Sequence, residues 1–308
     1  MMHQQKRFIH IMGTIIEIWL LDDNAEVLLD EAESRLIDYE HRFSANNSKS
    51  ELMNINHNAG IKFVPVSADL FTLIRIGKIQ STIDNSFLNI AIGPLIQTWR
   101  IGFYDARYPS DTEIQQQLKL IDPNNIVLDE SNNSVFLTQP GMAIDLGALA
   151  KGFFADKIIE FFKQQNAKAA FINLGGNVLT FGDCPFHDDG YWRVGIQNPF
   201  QPRGNVITAL KIKNQSVVTS GIYERTFNYN GKTYHHIFNS QTGYPVETDL
   251  ASISIVSKKS LDGEIWTTQL YGASAQYAIS AINKIPNIEG MIVTVNHKFA
   301  CSDGLLTQ

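Results

Sequence analysis

The segment from Asp145 to Gln165 constrains this chain most. Leu146, Leu149, Ala150, Phe153, Phe154, Ile158, Phe161 and Phe162 recur at i, i+3, i+4 and i+7, which lays one apolar stripe along a helix. Such a stripe has to be buried against a second layer. The sequence offers strands for that layer at Phe8–Leu21, Ala169–Leu174, Trp192–Gln197, Val206–Ile212, Ser216–Thr219, Ala251–Val256 and Met291–Val295. Hairpins are expected where Ile126–Glu130 meets Val135–Thr138, and where Arg225–Asn228 meets Lys232–Phe238 around Asn230-Gly231. Further helices are expected over Ala25–Phe43, behind Ser67, over Asp111–Leu120 and over Leu261–Asn283. Hairpins outnumber strand–helix–strand units, so the expected class is α+β with largely antiparallel sheet.

No repeat, linker or low-complexity run divides the 308 residues, so one domain over 1–308 is expected. An apolar share of 44% with 18% charged residues excludes a disordered chain or a coiled coil. The formal charge of −6, with no run of Lys or Arg, argues against nucleic acid as a partner. Met1 to Arg7 is not followed by a signal-peptide core, and Phe8–Leu21 is too short and too polar to span a bilayer. Cys184 and Cys301 share no metal-ligand or redox spacing and read as ordinary thiols. A cytoplasmic protein without membrane insertion is therefore expected.

Four segments could carry chemistry, and each also has a plain structural reading. Ile144–Gly152 runs from a strand end through Asp145 and small residues into a helix whose free N–H groups suit an anion, with Lys151 nearby. It could equally be a core helix with Asp145 at the N-cap. Asn173–Asn177 holds paired glycines that admit a ligand close to the backbone or simply turn the chain. Thr219–Arg225 and His235–Pro245 gather hydroxyls, turns and two histidines that point to opposite faces of a strand. Asp262, with Thr267 and Thr268 behind it, supplies hard oxygens suited to magnesium, or a helix cap. Gly231-Lys232-Thr233 imitates the end of a phosphate loop, but it lies in a hairpin and the required earlier glycine position is Thr226.

In order and spacing these segments resemble the ApbE-type FAD:protein FMN transferases. Met12-Gly13-Thr14, Phe43-Ser44 with Ser50-Glu51-Leu52 and Asn56, and Gly93-Pro94-Leu95 with Trp99 and Gly102 resemble the family's opening blocks. Asp145–Gly152, Asn173–Gly176, Thr219–Arg225 and His236–Pro245 follow in the family's order, over about residues 8 to 300. The resemblance implies a T-fold-like domain that binds FAD and Mg2+. Such enzymes transfer FMN to a threonine hydroxyl of an acceptor flavoprotein and release AMP. Carried over by motif, Met12, Asn46 and Phe87-Leu88-Asn89 would lie along the FAD site, and Asp145 and Lys151 would contact FAD. His236 would sit beside the reacting phosphate as the catalytic residue. The Ala148 carbonyl and Asp262 would hold magnesium, with Thr267 in the following helical turn.

The sequence departs from the family pattern at four places. Asn46 stands where an aromatic residue is usual, Asn89 where an acid is usual, and Asn239-Ser240 where Asp-Pro is usual. The metal-binding threonine falls on Trp266 in a gapless match, which makes Thr267 the candidate one residue later. The same site would also serve an FAD pyrophosphatase, with water replacing the threonine, or a flavin-binding protein without chemistry.

Overall fold

The computed structural model describes residues 3–306; Met1, Met2, Thr307 and Gln308, the ends of the expected domain, lie outside the described residues. The first strand is two. β1 (His3–Ile11) turns at Met12-Gly13 into β2 (Thr14–Asp22), because both turn residues take left-handed φ values of 54° and 68°. That pair of positive φ values matches the twist of a tight hairpin. Next come α1 (Ala25–Phe43), α2 (Glu51–His57, capped by Ser50), β3 (Val64–Pro65) and α3 (Ala68–Ser81). Ser67 occupies the α3 cap position, but its hydroxyl donates to Glu51 at 2.9 Å. α4 (Gly93–Trp99) and α5 (Asp111–Leu118) lead to the hairpin of β4 (Ile126–Asp129) and β5 (Ser134–Leu137).

The helix expected from Asp145 begins only at Ala150, as α6 (Ala150–Gln164). Asp145 is therefore not its N-cap; Leu149 is, with no side-chain capping bond. The apolar stripe runs past the helix start because Leu146 and Leu149 are buried from the preceding turn. β6 (Ala169–Leu174) and β7 (Asn177–Phe181) follow, then β8 (Trp192–Gln197), β9 (Val206–Ile212) and β10 (Ser216–Gly221). β11 (Thr226–Tyr229) and β12 (Lys232–His235) form the expected hairpin, and β13 is Leu250–Ser257. The helix expected over Leu261–Asn283 is broken into α7 (Ser260–Leu270) and α8 (Ala275–Ile282). The ring of Phe87 lies against Gly272, where any Cβ would stand 2.1 Å from it, and Ser274 caps α8. The chain ends in β14 (Glu289–Thr294), β15 (Phe299–Cys301) and α9 (Asp303–Leu306).

Eight strands form one antiparallel sheet in the order β1-β2-β6-β7-β10-β13-β14-β15. Alternation along β2 sends Ile16, Ile18 and Leu20 to one face and Trp19 to the other. The first face packs on α1, α3 and α6 through Leu29, Leu36, Ile74, Phe154, Ile158 and Phe162. The second face is covered in part by the β8–β9 hairpin through Trp192, Val194, Ile196 and Ile212. α8 closes the β13–β14 end with Ala278 and Ile282. The fold is α+β and predominantly antiparallel, as the strand pattern predicts.

Candidate active site

The turn before α6 is fixed from two sides. The Asn56 side chain donates to the Ile144 carbonyl at 3.0 Å and accepts from the Ile144 N–H at 2.8 Å, as a strand neighbour would. The Asp145 N–H donates to the Ile90 carbonyl at 2.9 Å. Held there, Asp145 turns its carboxylate back to accept from Gly147 N–H at 2.8 Å. Burial pushes the Asp145 carboxyl up from the ordinary carboxylate value, while the Gly147 N–H and the Arg225 charge oppose that rise. Gly147 and Ala148 are exposed on the outside of this turn, and Lys151 follows in the first turn of α6. Lys151 makes no ion pair among the described residues. Its charge is felt by Glu264 and by His236.

α6 and α7 meet at Gly152. A Cβ there would come within 2.7 Å of both the Ser260 carbonyl oxygen and Glu264 Cγ. Asp156 of α6 caps α7, accepting from Ser260 N–H at 2.7 Å and Leu261 N–H at 3.0 Å. Burial holds Asp156 up at about 6 in spite of those bonds. Glu264, only 5% exposed, accepts from the Asn177 amide at 2.8 Å, and Ser260 donates to the same amide at 2.5 Å. Asp262 is half-buried on α7, and that burial raises its carboxyl against the pull of Lys259. Thr267 is fully buried, and its hydroxyl donates to the Glu264 carbonyl at 3.1 Å. Trp266 packs against the β13–β14 core, as Ile222 and Ile237 also do.

The two histidines after the hairpin differ. His235 is buried, with Nε2 2.9 Å from the Val246 carbonyl. His236 is half-buried, with Nδ1 3.4 Å from the Arg225 carbonyl. Burial first, and then the Arg225 charge, push His236 down to about 4, so its imidazole is neutral near pH 7.

The remaining candidate residues fall in three places. Asn46 is exposed and lines, with Asp145, a cleft of about 570 Å3 between α2 and α4. Phe87 lies at the α7–α8 break, Leu88 is fully buried, and Asn89 donates to the Ile121 carbonyl at 2.9 Å and to Ser240 Oγ at 3.3 Å. Met12 is partly buried in the β1–β2 turn, its N–H donating to Glu40 at 2.6 Å. Sequence reasoning assigned no role to Asn56, Arg225 or Glu264. The sequence signal for Glu264 is an acid flanked by Gly263 and Ile265 in an apolar helix; Arg225 closes the Thr219–Arg225 segment, but its charge acts on Asp145 and His236 only once the chain folds.

Among the described residues no group of three or more His, Cys, Asp or Glu side chains is arranged to hold a metal ion, and no helix is long and apolar enough to cross a membrane. A family model described as the ApbE family matches residues 12–292. An FAD:protein FMN transferase of Klebsiella pneumoniae is 40% identical over 292 residues, covering 95% of this chain and 90% of that protein. An FAD:protein FMN transferase of Treponema pallidum is 30% identical over 311 residues, covering 96% of this chain and 86% of that one. The crystal structure of an ApbE protein from Thermotoga maritima superposes with a TM-score of 0.89 at 24% identity, covering 99% of both chains. The Pseudomonas stutzeri flavinyl transferase ApbE gives 0.84 at 21% identity, covering 98% of this chain and 95% of that one. At those identities the structural likeness speaks for the fold.

Proposed function

The chain belongs to the ApbE family, and on that premise we propose that it is an FAD:protein FMN transferase. The reaction joins the FMN phosphate of FAD to a threonine hydroxyl of an acceptor flavoprotein. One phosphorus–oxygen bond forms to the threonine oxygen, the pyrophosphate bond breaks, AMP departs, and the hydroxyl proton is taken up. The observation that carries the reading is 40% identity to a protein of that name across 95% of this chain. We take residues 1–308 to act as one domain, in the cytoplasm, consistent with two free cysteines.

The residues fit this chemistry. Lys151, without an ion-pair partner among the described residues, can stand opposite a pyrophosphate charge. An Nδ1–H donated to the Arg225 carbonyl would leave His236 Nε2 with a lone pair for the threonine proton. Neutrality at pH 7 keeps that lone pair available. The fixed turn before α6 carries Asp145 and the exposed residue Ala148, whose carbonyl is the backbone oxygen we assign to the metal, and Lys151 follows in the first turn of the helix. One carboxylate, Asp262, and one carbonyl, Ala148, suit magnesium, which commonly completes its shell with substrate phosphates and water. Thr267 is the hydroxyl candidate on the same helix; its oxygen keeps acceptor capacity while donating to Glu264. When bound, magnesium would offset charge on the phosphates and on departing AMP.

The test is mass spectrometry after incubation with FAD, magnesium and a threonine-bearing acceptor domain. A mass gain of FMN minus water on the acceptor, abolished by a chelator, is the expected result. Free FMN and AMP with an unmodified acceptor would instead identify a pyrophosphatase, and intact FAD a binding protein.

A further inference from the structure

The cleft beside Asp145 contains one aromatic ring among its described lining residues, that of Phe103. The guanidinium of Arg100 lies over that ring, 4.3 Å from its centroid, and Arg100 lines the same cleft. The pair is braced. Arg100 ends α4 in a left-handed conformation with φ 54°, and its carbonyl accepts from Phe103 N–H at 3.0 Å. Its Nε donates to Asp105 at 2.9 Å and its NH1 to Gln97 at 2.8 Å. The turn is also held at Gly102, where φ is +92° and a Cβ would stand 2.8 Å from Arg225 Cδ. The Arg100 charge is therefore matched by Asp105, and its Nε and one terminal nitrogen are engaged. What it adds to the cleft is a charge-paired guanidinium packed over the Phe103 ring rather than a free cation for phosphate.

We propose that Phe103 and Arg100 form the stacking platform for one of the two planar heteroaromatic rings of FAD. This rests on the FAD reading above and adds the recognition of a ring. Asn46, on the same cleft, carries no ring to do so. A guanidinium packed on a phenyl ring can take a heteroaromatic plane against the pair's free face, because dispersion and cation–π attraction act through the face without demanding a hydrogen-bonding pattern.

The experiment is calorimetric titration of the full chain with FAD, AMP and FMN separately, with and without magnesium chloride. Phe103→Leu is expected to weaken FAD binding about tenfold. The same loss is expected for the half that seats on the platform, AMP or FMN, while the other half binds as before. Phe103→Tyr should restore affinity, which separates stacking from a folding defect. Arg100→Lys, which keeps the charge but removes the plane, should lose affinity for the same half. Unaltered FAD affinity in Phe103→Leu would overturn the platform while leaving the transferase reading intact. Failure of the parent protein to bind FAD would overturn both.

Discussion

Gly152→Ala is the substitution whose outcome follows most directly from the geometry. In a bare helix the change would help, since alanine exceeds glycine in helix propensity by about 1 kcal/mol. Here the new methyl would stand 2.7 Å from the Ser260 carbonyl oxygen, and that carbonyl is backbone at the start of α7. It cannot rotate away as a side chain can. Glu264 Cγ, also at 2.7 Å, belongs to a buried side chain held by Asn177. Relief to ordinary contact needs α6 and α7 to part by several tenths of an ångström. Overpacking of this kind costs about 1–3 kcal/mol, which cancels or outweighs the propensity gain. The net loss of up to about 2 kcal/mol in a chain of 308 residues lowers Tm by up to about 3 °C. Lys151 rides on α6 and Asp262 on α7, so the same separation spreads the candidate site. Misplacement on that scale should lower kcat about tenfold. Differential scanning calorimetry and AMP release measure the two effects. A Tm at or above the parent value, with kcat unchanged, would refute the claim that this close approach sets the site.

His236→Ala should lower kcat by about a hundredfold or more if the imidazole takes the threonine proton, with AMP release as the readout. Because the folded His236 titrates at about 4 against an unfolded value of 6.5, its contribution to stability is full above 6.5 and fades as pH falls toward 4. The alanine variant should therefore lose less Tm between pH 7 and pH 5 than the parent does, and an identical pH trend would count against a buried neutral imidazole. Asp262→Ala should suppress turnover and weaken magnesium binding measured by calorimetry; unchanged magnesium affinity would remove Asp262 from the metal site. Asn89→Asp replaces the donor to the Ile121 carbonyl and Ser240 with a carboxylate facing a carbonyl at 2.9 Å. It should cost about 1–3 kcal/mol, seen in urea melts, and an unshifted midpoint would show those bonds to be idle.

Much of the fold is determined locally. Ala25–Phe43, Ala169–Leu174 and Val206–Ile212 carry periodicities of 3.6 or 2 strong enough that their observed bounds equal the expected ones. Asn230-Gly231 turns the β11–β12 hairpin because asparagine and glycine accept the φ values of 49° and 77° that the turn requires. The family, too, is written in motif order, and the match over residues 12–292 bears this out. Long-range contacts decided the rest. Met12 bends the first strand with a φ of 54°, unfavourable for most residues, while Glu40 of α1 receives its N–H. Residues 145–149 read as helix from their stripe, yet Ile90 and Asn56, distant in sequence, draw that backbone into an extended bond and a turn. Phe87 crosses to Gly272, where α7 and α8 break. Local sequence sets what each segment prefers when alone. The bends around the site come from hydrogen bonds and close contacts between segments, and those forces exist only once the chain has packed.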